Sequence, residues 1–140
     1  MILVDTSVLI DLFKGNDNDV VRNFKEIIQQ QVPFGISSVI YQEVLQGART
    51  RKEYDSLNEY LSTQQFFNPK DHLSSYAGAA EIYYKCRKNG ITIRSTIDCL
   101  IAQIALEHKL LLLHNDNDFT AMSTVIGLRT YMDSSMLPRK

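Results

Sequence analysis

Short apolar runs alternate with amphipathic helical patterns along this chain, and that alternation is the strongest constraint on its fold. Ile2-Leu3-Val4 stops at Asp5, after which Val8, Leu9, Leu12 and Phe13 recur at helical spacing. Lys14-Gly15-Asn16-Asp17 closes that helix, and Val20, Val21, Phe24, Ile27 and Ile28 carry a second as far as Gln31. Pro33-Phe34-Gly35-Ile36 reads as a second strand, followed by a helix that Ser37 or Ser38 can cap and that Gly47 ends. Tyr54, Leu57 and Leu61 mark another helix, and Phe66-Phe67 is a short apolar piece ended by Asn68-Pro69. Leu73, Tyr76, Ala77, Ala80, Tyr83 and Tyr84 outline a long helix to Asn89-Gly90, and Ile97, Leu100, Ile101, Ile104 and Ala105 one more. Leu110 to Leu113 suits a strand buried on both faces, and Leu128 to Met132 is the last regular piece. Strands that alternate with helices call for an α/β class fold: a three-layer α/β/α sandwich around a short, mostly parallel central sheet.

At 140 residues the chain has room for one domain, 1–140, since domains average roughly 150 residues. A hydrophobic fraction of 44% and a charged fraction of 22% are those of a globular protein. Cys86 and Cys99 both fall in helical segments and lack the spacing of a disulfide framework or a zinc site, which points to a reducing cytoplasm. The N-terminal apolar run is broken at once by Asp5, so it is not an export signal, and no run reaches the roughly 18 residues a membrane span needs. A net charge of -1 removes the global electrostatic case for nucleic-acid binding. A polyanion partner would need a local basic patch or a metal.

Ligands of open parallel sheets gather beyond the carboxyl ends of the strands, and four acids belong there. Asp5 ends the first strand, Glu43 lies on the helix after the second, Asp98 opens the late apolar helix and Asp116 follows the Leu110 to Leu113 strand. Each also has a local reading. Asp5 can cap the helix after it, Ser95-Thr96-Ile97-Asp98 has the form of a capping box, and Asp116 and Asp118 suit a turn and an N-cap. Glu43 resists such a reading, because it falls between Val39 and Ile40 in the apolar arc with no Lys or Arg within a turn. A carboxylate there needs a cation or hydrogen-bond donors. Asp98, on a helix apolar almost all round, has the same need.

If the four acids converge, their repulsion keeps the site partly protonated unless a divalent cation is present. Carboxylates alone suit Mg²⁺ or Mn²⁺ better than zinc. His72 at a helix start and His108 at a helix end read as surface residues, whereas His114, ending a strand at the expected site, is a candidate to support the acids. Gly-rich phosphate loops, Cys-x-x-Cys, His-Glu-x-x-His and Gly-x-Ser-x-Gly are all missing from the sequence.

Four segments together resemble the PIN-domain nuclease family, and within it the VapC-like toxins of toxin–antitoxin pairs. They are Asp5-Thr6-Ser7-Val8-Leu9-Ile10-Asp11, Tyr41-Gln42-Glu43-Val44-Leu45-Gln46-Gly47-Ala48, Gly90-Ile91 through Thr96-Ile97-Asp98-Cys99-Leu100-Ile101-Ala102, and Leu112-Leu113-His114-Asn115-Asp116-Asn117-Asp118-Phe119. The resemblance implies a metal-dependent endoribonuclease that leaves 5′-phosphate and 3′-hydroxyl ends. Asp5, Glu43, Asp98 and Asp116 match its acidic quartet, and Asp118 an additional acid. Thr6, Ser7, Thr96, His114 and Asn115 would then support the acids or touch substrate. His114 stands where such proteins often carry Thr or Ser, and Lys109 where they often carry Gly. Candidates for gripping RNA are Arg49, Arg51 and Lys52 after the Glu43 helix, and Lys85, Arg87, Lys88 and Arg94 before the Asp98 helix. A VapB-like antitoxin and a homodimer are implied as partners. Two other classes remain open on the residues alone: a phosphotransfer or phosphatase domain with a strand-end Asp, and a non-catalytic acidic binding module. The first is weakened by Thr6-Ser7, since the haloacid-dehalogenase pattern needs Asp-x-Asp.

Overall fold

The computed structural model describes residues 1–131. In chain order the elements are β1 (Ile2–Val4), α1 (Thr6–Phe13), α2 (Asp19–Gln29), β2 (Phe34–Ile36), α3 (Ser38–Gln46), α4 (Arg51–Leu61), β3 (Gln65–Phe66), α5 (Ser74–Lys88), α6 (Thr96–Glu107), β4 (Leu111–Leu113) and α7 (Asn117–Met122). The sheet has the order β3-β2-β1-β4, with every pairing parallel. Thr130 adds an isolated parallel bridge to Leu112, which is all the described residues show of the regular piece expected at 128–132. Met132 lies outside them.

This order explains the layers. The chain steps outward from β1 to β2 to β3 and then crosses back over β1 to reach β4. Right-handed crossovers in opposite directions place their helices on opposite faces. In agreement, α1 packs on α2 and α3, and α3 on α4, while α5 packs on α6, and α6 on α7 and β4. Ile2, Leu3 and Val4, with Leu112 and Leu113 beside them, are buried between the helical layers. At roughly 25 cal/mol per Å² of apolar surface, such strands anchor the core although each has only three residues.

Local chemistry sets the element ends. Ser37, Asn18 and Thr50 cap α3, α2 and α4 through their side chains. Gln31, expected inside α2, instead adopts φ 56° just after it, so the helix stops at Gln29. Gly90, at φ 77°, turns the chain after α5 in a conformation that favours glycine, which has no Cβ to clash.

The apolar arc of α5 differs from the expected one. Ser75, Ala79, Ile82 and Cys86 are buried, whereas Leu73 is 81% exposed, and Tyr76 and Tyr84 are also exposed. The helix carries two apolar arcs, and packing against α6 selects the one with small residues. A Cβ on Gly78 would lie 2.7 Å from the Gln103 side chain, so the two helices approach closely there. Ser75 is tolerated in the core because its hydroxyl bonds Glu107, at 2.6 Å from Oε2. His108 is half-buried rather than a surface residue; its Nε2 lies 2.8 Å from the Asn68 carbonyl and its ring against Phe67.

Candidate active site

The pairing of β1 with β4 puts Val4 opposite Leu113, so the residues that follow each strand emerge side by side. The Asp5 amide donates to the Leu113 carbonyl at 2.9 Å, locking the two strand ends together. The helices after β1 and those leading to β4 lie on opposite faces, and a crevice opens at such a switch point.

Asp5 is 4% exposed. Its Oδ2 accepts from the Ser7 amide and, at 2.6 Å, from the Ser7 hydroxyl, so it does cap α1 as one local reading held. Burial pushes its carboxyl above the ordinary range, against the lowering effect of the Ser7 bonds. Asp116 likewise caps α7, accepting from the Asp118 amide at 2.9 Å. Capping holds these carboxylates in place without excluding them from a site.

Asp98 behaves differently. Ser95 makes no side-chain cap bond, so the expected capping box is not formed. Instead, Asp98, Asp116 and Asp118 each offer a carboxylate oxygen within 4.8 Å of the others. Asp98 is pushed up to about 7, first by burial and then by the charges of Asp116, Asp5, Asp118 and Glu43. The other four acids therefore all act electrostatically on Asp98, and Asp118 belongs to the tight group rather than standing behind it.

Glu43 finds its donor in the Thr6 hydroxyl, 2.8 Å from Oε1, with no cation needed. His114 accepts the Asp116 amide on Nδ1 at 3.2 Å and lies against the Phe119 ring, and burial lowers its pKa. That nitrogen takes the amide two residues on, as a Thr or Ser hydroxyl does in such turns. Asn115 reaches back across the crevice: its amide donates to Ser7 Oγ at 3.0 Å and its Nδ2 to Asp11 Oδ2 at 3.1 Å. Asp11 also accepts from Asn16 and Asn18, and these bonds hold its carboxyl below the ordinary range. Its part in supporting the Asp116 loop was missed in the sequence, although it lies four residues after Ser7, on the same helical face.

The other candidates are dispersed. Thr96 is exposed and lines an apolar groove of about 330 Å³ between α5 and α6. Arg49 lines a groove of about 610 Å³ formed by α1, α3 and α4, and Lys52 a neighbouring one; neither groove is lined by any of the acids. Arg51 lies over Tyr54 and pairs with Asp55, Lys85 pairs with Glu81, and Arg87 and Lys88 lie over Tyr83 and Tyr84. Arg94 alone of these contacts the acids among the described residues, through Asp118.

The donor set of this cluster is all carboxylate oxygen, closely spaced and partly desolvated, and burial followed by mutual repulsion raises Asp98. Those properties fit a hard divalent cation. Cys86 and Cys99 are free and buried, and burial pushes Cys99 up to about 11, so neither thiol competes as a ligand.

The sequence profile of the PIN domain family matches residues 2–124. The chain is 28% identical over 130 residues to the VapC ribonuclease Mb1587 of Mycobacterium bovis, covering 92% of this chain and 96% of that protein. Ribonuclease VapC11 of Mycobacterium tuberculosis matches equally. Among solved structures, a toxin–antitoxin complex from Klebsiella pneumoniae contains a chain with TM-score 0.67 and 25% identity, covering 95% of this chain and 99% of that one. VapBC2 from Rickettsia felis, bound to promoter DNA, gives TM-score 0.71 at 18% identity, covering 94% and 98% respectively.

Proposed function

The chain belongs to the PIN-domain family, and from that premise we propose that it is a metal-dependent endoribonuclease and the toxin of a toxin–antitoxin pair. The observation that carries this reading is the convergence of Asp98, Asp116 and Asp118 within 4.8 Å at the ends of strands that also deliver Asp5. Relatives named as VapC ribonucleases and solved toxin–antitoxin complexes that share the fold support it.

In this reading Asp5, Glu43, Asp98 and Asp116 are the catalytic acids, and with Asp118 they hold Mg²⁺ or Mn²⁺. When bound, the ion supplies Lewis-acid chemistry: activation of water for attack on the phosphodiester and neutralisation of charge on phosphorus. The chain's own residues do the holding. Ser7 orients Asp5, Thr6 orients Glu43, and His114 and Asn115 fix the turn that carries Asp116. Thr96 and the basic residues Arg49, Arg51, Lys52, Lys85, Arg87, Lys88 and Arg94 are the candidates for RNA contact outside the acids.

The whole chain, 1–140, is taken as one nuclease domain that works as a homodimer in the cytoplasm and is bound by a VapB-like antitoxin. Among the described residues no helix is long and apolar enough to cross a membrane. Ser7, bonded to Asp5, stands where the phosphatase pattern needs its second carboxylate, so that alternative gains no support.

The test is cleavage of a panel of structured tRNA and rRNA by the purified protein with Mg²⁺ or Mn²⁺. Cleavage should stop when a chelator is in excess. Undiminished cleavage in excess EDTA overturns metal dependence, and no cleavage across the panel with either ion counts for the acidic binding module.

A further inference from the structure

The Arg94 backbone amide donates to Asp118 Oδ2 at 3.2 Å, and its guanidinium Nε lies 3.5 Å from the same oxygen. Other ion pairs among the described residues join Arg22 to Asp17 and Asp19, Arg51 to Asp55 and Lys85 to Glu81. Arg94 thus brings a positive charge to the acid cluster, and it does so from an open position: its side chain is 78% exposed, that of Asp118 13%. Resting on the metal-dependent reading above, we propose that Arg94 is the counter-ion of the acid cluster when no metal is bound, and that it passes to a phosphate of the RNA when a divalent cation takes Asp118.

Four physical points carry this. Carboxylates this close repel, so a cation beside Asp118 relieves the metal-free site. An ion pair whose arginine is so exposed is weak and readily exchanged, and a divalent ion both replaces its charge on Asp118 and repels the guanidinium. The released group remains beside the cluster, because the backbone bond to Asp118 is independent of the side chain. A planar guanidinium there suits a phosphate oxygen pair.

The side chain is therefore separable from the loop it sits on, and Arg94→Met and Arg94→Lys test it. Mn²⁺ binding to the full chain is measured by titration calorimetry. Affinity for a fluorescein-labelled, mixed-sequence single-stranded RNA is measured by polarisation, with and without Mn²⁺. Arg94→Met should bind Mn²⁺ about 2- to 5-fold more tightly than wild type, because a competing cation is gone. Its RNA affinity should fall by a similar factor with Mn²⁺ present, with a salt slope shallower by about 1, and change little without Mn²⁺. Arg94→Lys should lie between. Unchanged or weaker Mn²⁺ binding in Arg94→Met overturns the inference alone, as does an RNA loss that is the same with and without the ion. A wild-type protein that binds no Mn²⁺ overturns the metal-site reading and this inference together.

Discussion

The Thr6 hydroxyl donates to Glu43 Oε1 at 2.8 Å, across 37 residues of sequence, and so ties the first turn of α1 to the middle of α3. This half-buried carboxylate accepts from a neutral donor, and it is one of the four acids whose charges raise Asp98.

Glu43→Gln should therefore leave the metal-free thermal midpoint unchanged or raise it, since Gln can still accept from Thr6 while repulsion is relieved. Mn²⁺ should stabilise wild type and stabilise this variant less. Calorimetric melts with and without the ion decide it. A destabilised metal-free variant with an intact metal response would remove Glu43 from the site.

Asp98→Asn should abolish detectable cleavage, a loss of about 100-fold or more, with the fold intact. Ser95 makes no capping bond for the substitution to disturb. Turnover and thermal midpoint are measured on the same preparation, and retained turnover rejects the catalytic role.

Metal affinity should depend on pH through Asp98. Its pKa of about 7 in the folded protein lies above the ordinary 3.8, so binding displaces a proton below pH 7. Affinity should rise by up to about tenfold per pH unit toward 7 and flatten above it. The same shift has a definite sign for folding. The folded state holds a proton that the unfolded state lacks, so this stabilisation is complete below 3.8 and is lost as pH rises through about 7. His114, lowered by burial, acts in the opposite sense below 6.5. The pH profile of wild type minus Asp98→Asn isolates the Asp98 effect, and a flat difference would refute it.

Asn115→Ala should weaken Mn²⁺ binding by up to roughly tenfold, the worth of about one charge-assisted hydrogen bond, because it frees the Asp116 loop from Asp11. Asn16→Ala removes another Asp11 partner without touching that loop. It should leave Mn²⁺ affinity at the wild-type value. Equal effects of the two substitutions would mean that Asp11 only steadies the connection from α1 to α2.

Sequence alone determined the alternation of strand and helix, and it placed Asp5, Glu43, Asp98 and Asp116 near strand ends, because period and chain punctuation are local properties. It could not determine partners. Which arc of α5 is buried was decided by the fit of Gly78 against Gln103 and of Ser75 against Glu107. That Asp98 joins Asp116 and Asp118 instead of closing a box with Ser95 was decided by where α6 and α7 meet beyond β4. Thr6 as the donor to Glu43, and Asp11 as the anchor of Asn115, depend on segments 37 and 104 residues apart. Such contacts exist only once the order β3-β2-β1-β4 has brought the strand ends together, and that order is set by the packing of the whole chain.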